Sequence, residues 1–212
     1  MTEPTHALKK NQLAKIRRLR RSELPVSTVK LARYLIGKTL VHDLPGGRLS
    51  GRIVETEAYP VGDAAGHAFT GRSLANNSLF LANGTAYVRF TYGSCWLFNV
   101  ASEIHGVGAG VLIRALEPLE GIERMELNRG TSRLRDLARG PGRLAEALGI
   151  DKALDGIDLC DRKSKIWFGS AAHATGKIGV SVRIGITKDA HRRLRFFERG
   201  NAFISGSLRL NS

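Results

Sequence analysis

Apolar and polar positions alternate most clearly between residues 51 and 59, in Gly51-Arg52-Ile53-Val54-Glu55-Thr56-Glu57-Ala58-Tyr59. A period of two is that of a strand. Strict alternation puts Ile53, Glu55, Glu57 and Tyr59 on one face and Arg52, Val54, Thr56 and Ala58 on the other, and Pro60 and Gly62 then turn the chain. Upstream, Leu31, Ala32, Leu35 and Ile36 recur at helical spacing, with Ser27 or Thr28 to cap the helix and Gly37 to stop it. Residues 39–44 read as a strand, and Pro45-Gly46-Gly47 as a hairpin leading into the alternating stretch. Further strands are expected over 86–92, 96–101, 110–116, 166–168 and 178–186, and the basic run Arg192-Arg193-Leu194-Arg195-Phe196-Phe197 enters a last one. Asn83-Gly84 reads as a hairpin turn, and residues 60–79 as a long loop of small residues. Helices are expected over 120–128 and 144–148, the second opened by Arg139-Gly140-Pro141-Gly142-Arg143. The elements intersperse without regular βαβ spacing. The pattern therefore predicts one compact α+β domain over residues 25–212, a mostly antiparallel sheet with surrounding helices.

Length and composition agree with one domain. The chain has 212 residues, 42% of them apolar, enough for a sizeable core. No run approaches the roughly 18 apolar residues of a membrane span, and no apolar segment follows the first positive charges, so neither membrane insertion nor a secretory signal is expected. Cys95 and Cys160 fit no metal-ligand spacing. No metal site is expected, and two free thiols suit a reducing, intracellular compartment: bacterial cytoplasm or nucleoid, or a eukaryotic nucleus. Lys and Arg number 33 against 19 Asp and Glu, a formal charge of +14. Such a surface attracts polyanions through counterion release, and nucleic acid is the usual partner. Residues 1–24, with Lys9, Lys10, Lys15, Arg17, Arg18, Arg20 and Arg21, read as a flexible basic arm outside the core.

Candidate chemistry gathers on the alternating strand. Glu55, Glu57 and Tyr59 at a strand end, with His67 close behind, are parts of a hydrolytic site. Arg114 interrupts the apolar strand Val111-Leu112-Ile113-Arg114-Ala115-Leu116 and needs a carboxylate or an anion nearby. Tyr87 and Arg89 share a strand face, and Gly93 lets the chain bend just after Tyr92. The turn at residues 139–143 has the glycines and arginines that suit a phosphate.

These segments carry a resemblance. Gly51 to Tyr59, then Gly84-Thr85-Ala86-Tyr87-Val88 with Tyr92-Gly93, then Arg114-Ala115-Leu116-Glu117-Pro118-Leu119-Glu120-Gly121, then Gly140-Pro141 occur in that order. From about residue 25 to about residue 205 the chain resembles the alkyladenine (3-methyladenine) DNA glycosylase family. The resemblance implies a monomeric enzyme, without metal or cofactor, that flips damaged purines out of double-stranded DNA and hydrolyses their N-glycosidic bond. Lyase activity is not expected, because the motifs place no lysine as a Schiff-base nucleophile. The resemblance also implies roles. Glu57 is the general base, and His67 and Arg114 help hold its water. Tyr59 stacks on the flipped base with Tyr87 nearby, and Asn99 crowds the 2-amino group of guanine. Tyr92 wedges into the vacated gap, and Gly140 to Arg143 touch phosphate.

Arg89 stands where the family usually has a second stacking tyrosine. A guanidinium stacks on neutral bases but repels cationic ones, so a preference for neutral lesions is expected if Arg89 meets the base; the alternative is that it pairs with a nearby carboxylate or phosphate and never does. Two other readings share the composition: a nucleic-acid binding module without chemistry, and a glycosidase acting on RNA. Loss of base release with retained binding on Glu57→Gln excludes the first, and side-by-side assays on DNA and RNA decide the second.

Overall fold

The computed structural model describes residues 16–91, 93–170 and 175–211. In chain order these form β1 (Arg17–Arg18), α1 (Thr28–Leu35), β2 (Thr39–Leu44), β3 (Gly47–Tyr59), β4 (Ala86–Thr91), β5 (Cys95–Ala101) and β6 (Gly110–Glu120). Then come α2 (Ile122–Arg129), α3 (Leu134–Leu137), α4 (Pro141–Ala147), β7 (Ile166–Ser170), β8 (Ile178–Ser181) and β9 (Arg195–Glu198). All the strand pairs are antiparallel, in the path β1-β7-β2-β3-β6-β5-β4, with β9 joining β3 and β8 joining β9. The α+β architecture expected from the sequence is present.

The sheet forks along β3. Its first half, to Arg52, pairs with β2; its second half, Glu55–Glu57, pairs with β9, and β6 runs along the other edge of both. Where the partner changes, the β3–β6 ladder shifts register at Ile53/Glu55 and again at Glu55/Thr56. A bulge breaks the period of two. Ile53 consequently packs in the main core with Leu31, Leu35 and Ile113, while Val54 joins a small cluster with Ala115, Phe197 and Ile204. Strict alternation placed Ile53 beside the glutamates, and the bulge removes it. Thr56 and Ala58 stay on the core face, where the Thr56 hydroxyl donates to the Ala32 carbonyl of α1 (2.9 Å).

The main core lies between the sheet and α1, α2 and α4, all of which present apolar side chains to it. At the start of α1 neither Ser27 nor Thr28 caps through its own side chain. Instead Glu103 accepts the Thr28 N–H (2.8 Å) and hydroxyl (2.6 Å), satisfying orphan groups of the first turn. Asn83-Gly84 does turn the chain, but a 3-10 turn over Asn77–Phe80 precedes it, so it closes no hairpin.

Residues 17–24, expected to belong to a loose arm, lie on the domain. Arg17 and Arg18 pair with Ser170 and Gly169 of β7, and Leu19 and Leu24 are buried in the main core. Two leucines with apolar space beneath them outweigh the cost of ordering this basic stretch. The rest of the expected arm, residues 1–15, lies outside the described residues. The strand expected over 178–186 ends at Ser181, because the chain then leaves the ladder to wall the site described below. The strand expected to end near residue 116 runs on to Glu120, through Pro118 opposite Gly51, where the ladder also shifts. Among the described residues no helix is long and apolar enough to cross a membrane.

Candidate active site

The far half of β3, carried between β6 and β9, holds two fully buried carboxylates on one face. Glu55 is saturated. It accepts from Arg114 Nε (2.9 Å), Arg195 Nε (2.6 Å), the Ser205 N–H (2.5 Å) and the Ser205 hydroxyl (2.8 Å). Burial pushes its pKa upward, but Arg114, Arg195 and the Ser205 N–H outweigh burial and hold Glu55 below the usual carboxylate range. It is ionised and fully occupied, which suits a positioning group.

Glu57 is less well compensated. Its Oε1 accepts the Ile184 N–H (2.7 Å), and its Oε2 accepts the Tyr59 hydroxyl (2.9 Å) and lies 3.2 Å from Arg114 Nη1. Here burial wins over Arg114 and the two hydrogen bonds, and Glu57 is raised above the usual range. Two carboxylates two residues apart are thus driven in opposite directions, the condition under which one can act as a base near neutral pH. Arg114 lies between them, only 6% exposed, and needs its planar fork to reach both.

A cavity of about 300 Å³ opens over this pair. That is the lower end of the volumes that take small molecules. Tyr59, His67, Tyr87, Leu97, Asn99 and Arg114 line it, with Ile184, Pro141 and Gly142. Glu57 sits just behind this lining, since its three contacts, Tyr59, Arg114 and Ile184, all belong to it. Burial and the neighbouring Glu57 charge raise Tyr59, so its phenol stays neutral and donates.

Arg183 is stacked 4.6 Å from the Tyr59 ring centroid. It is held there by Asp63 (2.9 Å) and the Ala58 carbonyl (3.0 Å). Arg192 meets the same Asp63 (2.8 Å), so the loop after β3 and the segment after β8 are tied together around the tyrosine. His67 Nδ1 is 3.1 Å from the Tyr87 hydroxyl, and the two rings meet edge to face. Burial, and secondarily the charge of Arg89, lower His67, which keeps it neutral. The Asn99 side-chain amide donates to the Tyr87 carbonyl (3.3 Å).

The opposite rim is the start of α4. Gly140 has φ +137°, a conformation L side chains rarely adopt, and a Cβ on Gly142 would meet Cys95 Cβ and Sγ at 3.0 Å. The two glycines let the rim come close to β5. Arg143 is partly offset by Asp136 at 3.6 Å.

A sequence profile of the family described as methylpurine-DNA glycosylase (MPG) matches residues 22–202. The chain belongs to the methylpurine-DNA glycosylase family. A Mesorhizobium japonicum protein named "Putative 3-methyladenine DNA glycosylase" is 64% identical over 186 residues, 88% of this chain and 89% of its own length. Proteins of the same name from Paraburkholderia phytofirmans and Granulibacter bethesdensis are 53% identical (96% of this chain, 94% of theirs) and 45% identical (84% and 82%).

The structure of this methylpurine-DNA glycosylase family member brings Glu57, Tyr59, His67, Tyr87, Asn99 and Arg114 to one cavity and its floor. Gly140 and Arg143 flank the rim formed by Pro141 and Gly142, and Arg89 lies on the wall strand β4 without lining the cavity. His67 bonds to Tyr87 and not to the carboxylates. Tyr92 lies outside the described residues. Sequence reasoning missed Arg195, Ser205, Arg183, Asp63 and the Ile184 N–H. Arg195 carried a signal: it interrupts Leu194 and Phe196-Phe197 as Arg114 interrupts its own apolar strand. The backbone N–H of Ile184 carries none.

Proposed function

We propose that the chain is a monofunctional DNA glycosylase that hydrolyses the N-glycosidic bond of damaged purines in duplex DNA, opening base excision repair. The observation that carries this is Glu57: a buried carboxylate of raised basicity, gripped by Arg114 and Tyr59 beneath an aromatic-walled cavity.

In this reading the damaged purine leaves the stack and enters the cavity between Tyr59 and the wall of Tyr87 and His67. Flipping costs a few kcal/mol, least for damaged or mispaired bases. Stacking on an aromatic returns about 1–3 kcal/mol. Arg183 occupies one side of Tyr59, which leaves the other for the base. Asn99, whose side chain donates to the Tyr87 carbonyl, crowds a purine substituent in this reading. As the bond from the sugar to the purine breaks, positive charge develops on the sugar. Ionised Glu57 stabilises that charge and takes a proton from the attacking water, which Arg114 helps to hold. General-base assistance is worth roughly 10²–10⁴ in rate. Arg143 and the basic rim meet the phosphodiester backbone, and a high positive charge strengthens that contact. No lysine lines the cavity among the described residues, which agrees with water, not an amine, as the nucleophile. The 3-methyladenine in the relatives' name fits this chemistry, as do other alkylated, deaminated and etheno-purines.

The test is release of free base from duplexes that each carry one alkylated, deaminated or etheno-purine, followed by chromatography of the released base. Release leaving an alkali-labile but unbroken strand is expected. Strand cleavage without alkali, or release from none of the duplexes, refutes the proposal.

A further inference from the structure

On β4, residues 87, 89 and 91 share a face, and both Tyr87 and Thr91 line the cavity. Arg89 stands between them, opposite Leu97 of β5, which also lines it. Its positive charge acts on the aromatic wall, lowering the His67 imidazole and working against the upward push of burial on the Tyr87 phenol. The guanidiniums on the floor and far wall are all compensated. Arg114 meets Glu57 (3.2 Å), Arg195 meets Glu55 (2.6 Å), Arg183 meets Asp63 (2.9 Å), and Arg192 meets both Asp63 (2.8 Å) and Asp189 (3.6 Å). Among the described residues Arg89 is in no ion pair. The uncompensated charge at this cavity is therefore one positive charge beside the wall. Arg183 adds to the effect: a guanidinium on one face of Tyr59 draws on the ring electrons that would attract a cation to the other.

We propose that Arg89 is a specificity-determining residue that favours electrically neutral damaged purines over cationic, ring-alkylated ones. This rests on the glycosylase function proposed above. When the glycosidic bond breaks, its electron pair stays with the purine, water oxygen bonds to the sugar carbon, and the water proton goes to Glu57. A neutral purine departs with developing negative charge, which Arg89 stabilises. A cationic purine departs on its way to neutral and carries residual positive charge in the transition state, which Arg89 repels. The two substrates differ by one unit of charge throughout. For a charge held on the order of 9 Å from the base, Coulomb's law at an effective dielectric of roughly 20–40 changes their ratio by roughly 5- to 20-fold.

The experiment compares base release from duplexes carrying one hypoxanthine (neutral) or one 7-methylguanine (cationic), for wild type, Arg89→Gln and Arg89→Lys. Sub-saturating enzyme in single turnover refers each rate to free enzyme and duplex, and changes in general DNA affinity cancel in the ratio. Arg89→Gln shifts the ratio toward 7-methylguanine by roughly 5- to 20-fold, and Arg89→Lys, which keeps the charge, holds the wild-type ratio. Arg89→Met serves as a second neutral variant and shifts as Gln does. An unmoved ratio in the neutral variants, or a lysine variant that shifts as far as they do, overturns the proposal while leaving the glycosylase function intact. No release from either duplex by wild type removes both.

Discussion

Replacing Glu55 with glutamine separates positioning from catalysis at this site. Glu55 is fully buried and accepts four contacts between 2.5 and 2.9 Å, two from guanidiniums and two from Ser205. Glutamine matches its shape but offers one acceptor oxygen, and turns an NH₂ toward groups that are all donors. Arg114 keeps Glu57 as a counter-charge. Arg195, also fully buried, keeps only neutral acceptors: the Ser181 hydroxyl, the Leu210 and Ser205 carbonyls and the Asn211 side chain. Breaking a buried ion pair from one side costs about 3–5 kcal/mol. For a chain of this size that lowers Tm by roughly 6–20 °C.

The effect on chemistry runs the other way. Glu55 is among the influences that raise Glu57, and without it Arg114 serves Glu57 alone. Glu57 then becomes more acidic. A base acts when deprotonated, so rate is lost as pH falls through its pKa, and a lowered pKa moves that acid limb to lower pH. Urea unfolding and single-turnover base release across pH 4–8 measure both halves. A stability loss under about 1 kcal/mol, or an acid limb that moves upward, refutes the division of labour between the two glutamates.

Arg114→Gln does the opposite to the pH profile, because Arg114 is the main influence holding Glu57 down; the acid limb of base release moves up, and an unmoved limb contradicts the contact at 3.2 Å. Leu19→Ala, at a site 1% exposed, lowers unfolding free energy by about 2–5 kcal/mol in urea titration, whereas a loose arm predicts no change. Gly140→Ala forces a side chain into φ +137° and costs about 1–3 kcal/mol by the same titration; an equally stable variant means the turn at the start of α4 relaxes freely.

Much of this site was legible because it broke the patterns around it. Glu57 and Tyr59 sit at the end of an alternating strand, and Arg114 is a charge in an apolar run; each irregularity marked a side chain with a partner to find. What was not legible depends on contacts far apart in sequence. The bulge that parts Ile53 from Glu55 arises where β2 hands the edge of β3 to β9, a change of partner that no local pattern encodes. Ser205 reaches Glu55 across 150 positions with its N–H and hydroxyl, and serine in a loop is unremarkable by composition. Asp63 and Arg183 read as loop and strand residues, yet they meet fully buried behind Tyr59. The arm was misjudged for a related reason: its arginines dominate the count, while the burial of Leu19 and Leu24 decides where residues 17–24 lie.

The most direct measurement is a side-by-side comparison of wild type and Glu57→Gln for base release from a hypoxanthine duplex and for equilibrium affinity to the same duplex. Replacing the proposed general base is expected to slow release by roughly 10²–10⁴ while duplex affinity stays within a few-fold, since Glu57 is fully buried beneath the cavity and not on the exposed surface. Release at the wild-type rate, or affinity lost in step with release, contradicts the role given to Glu57.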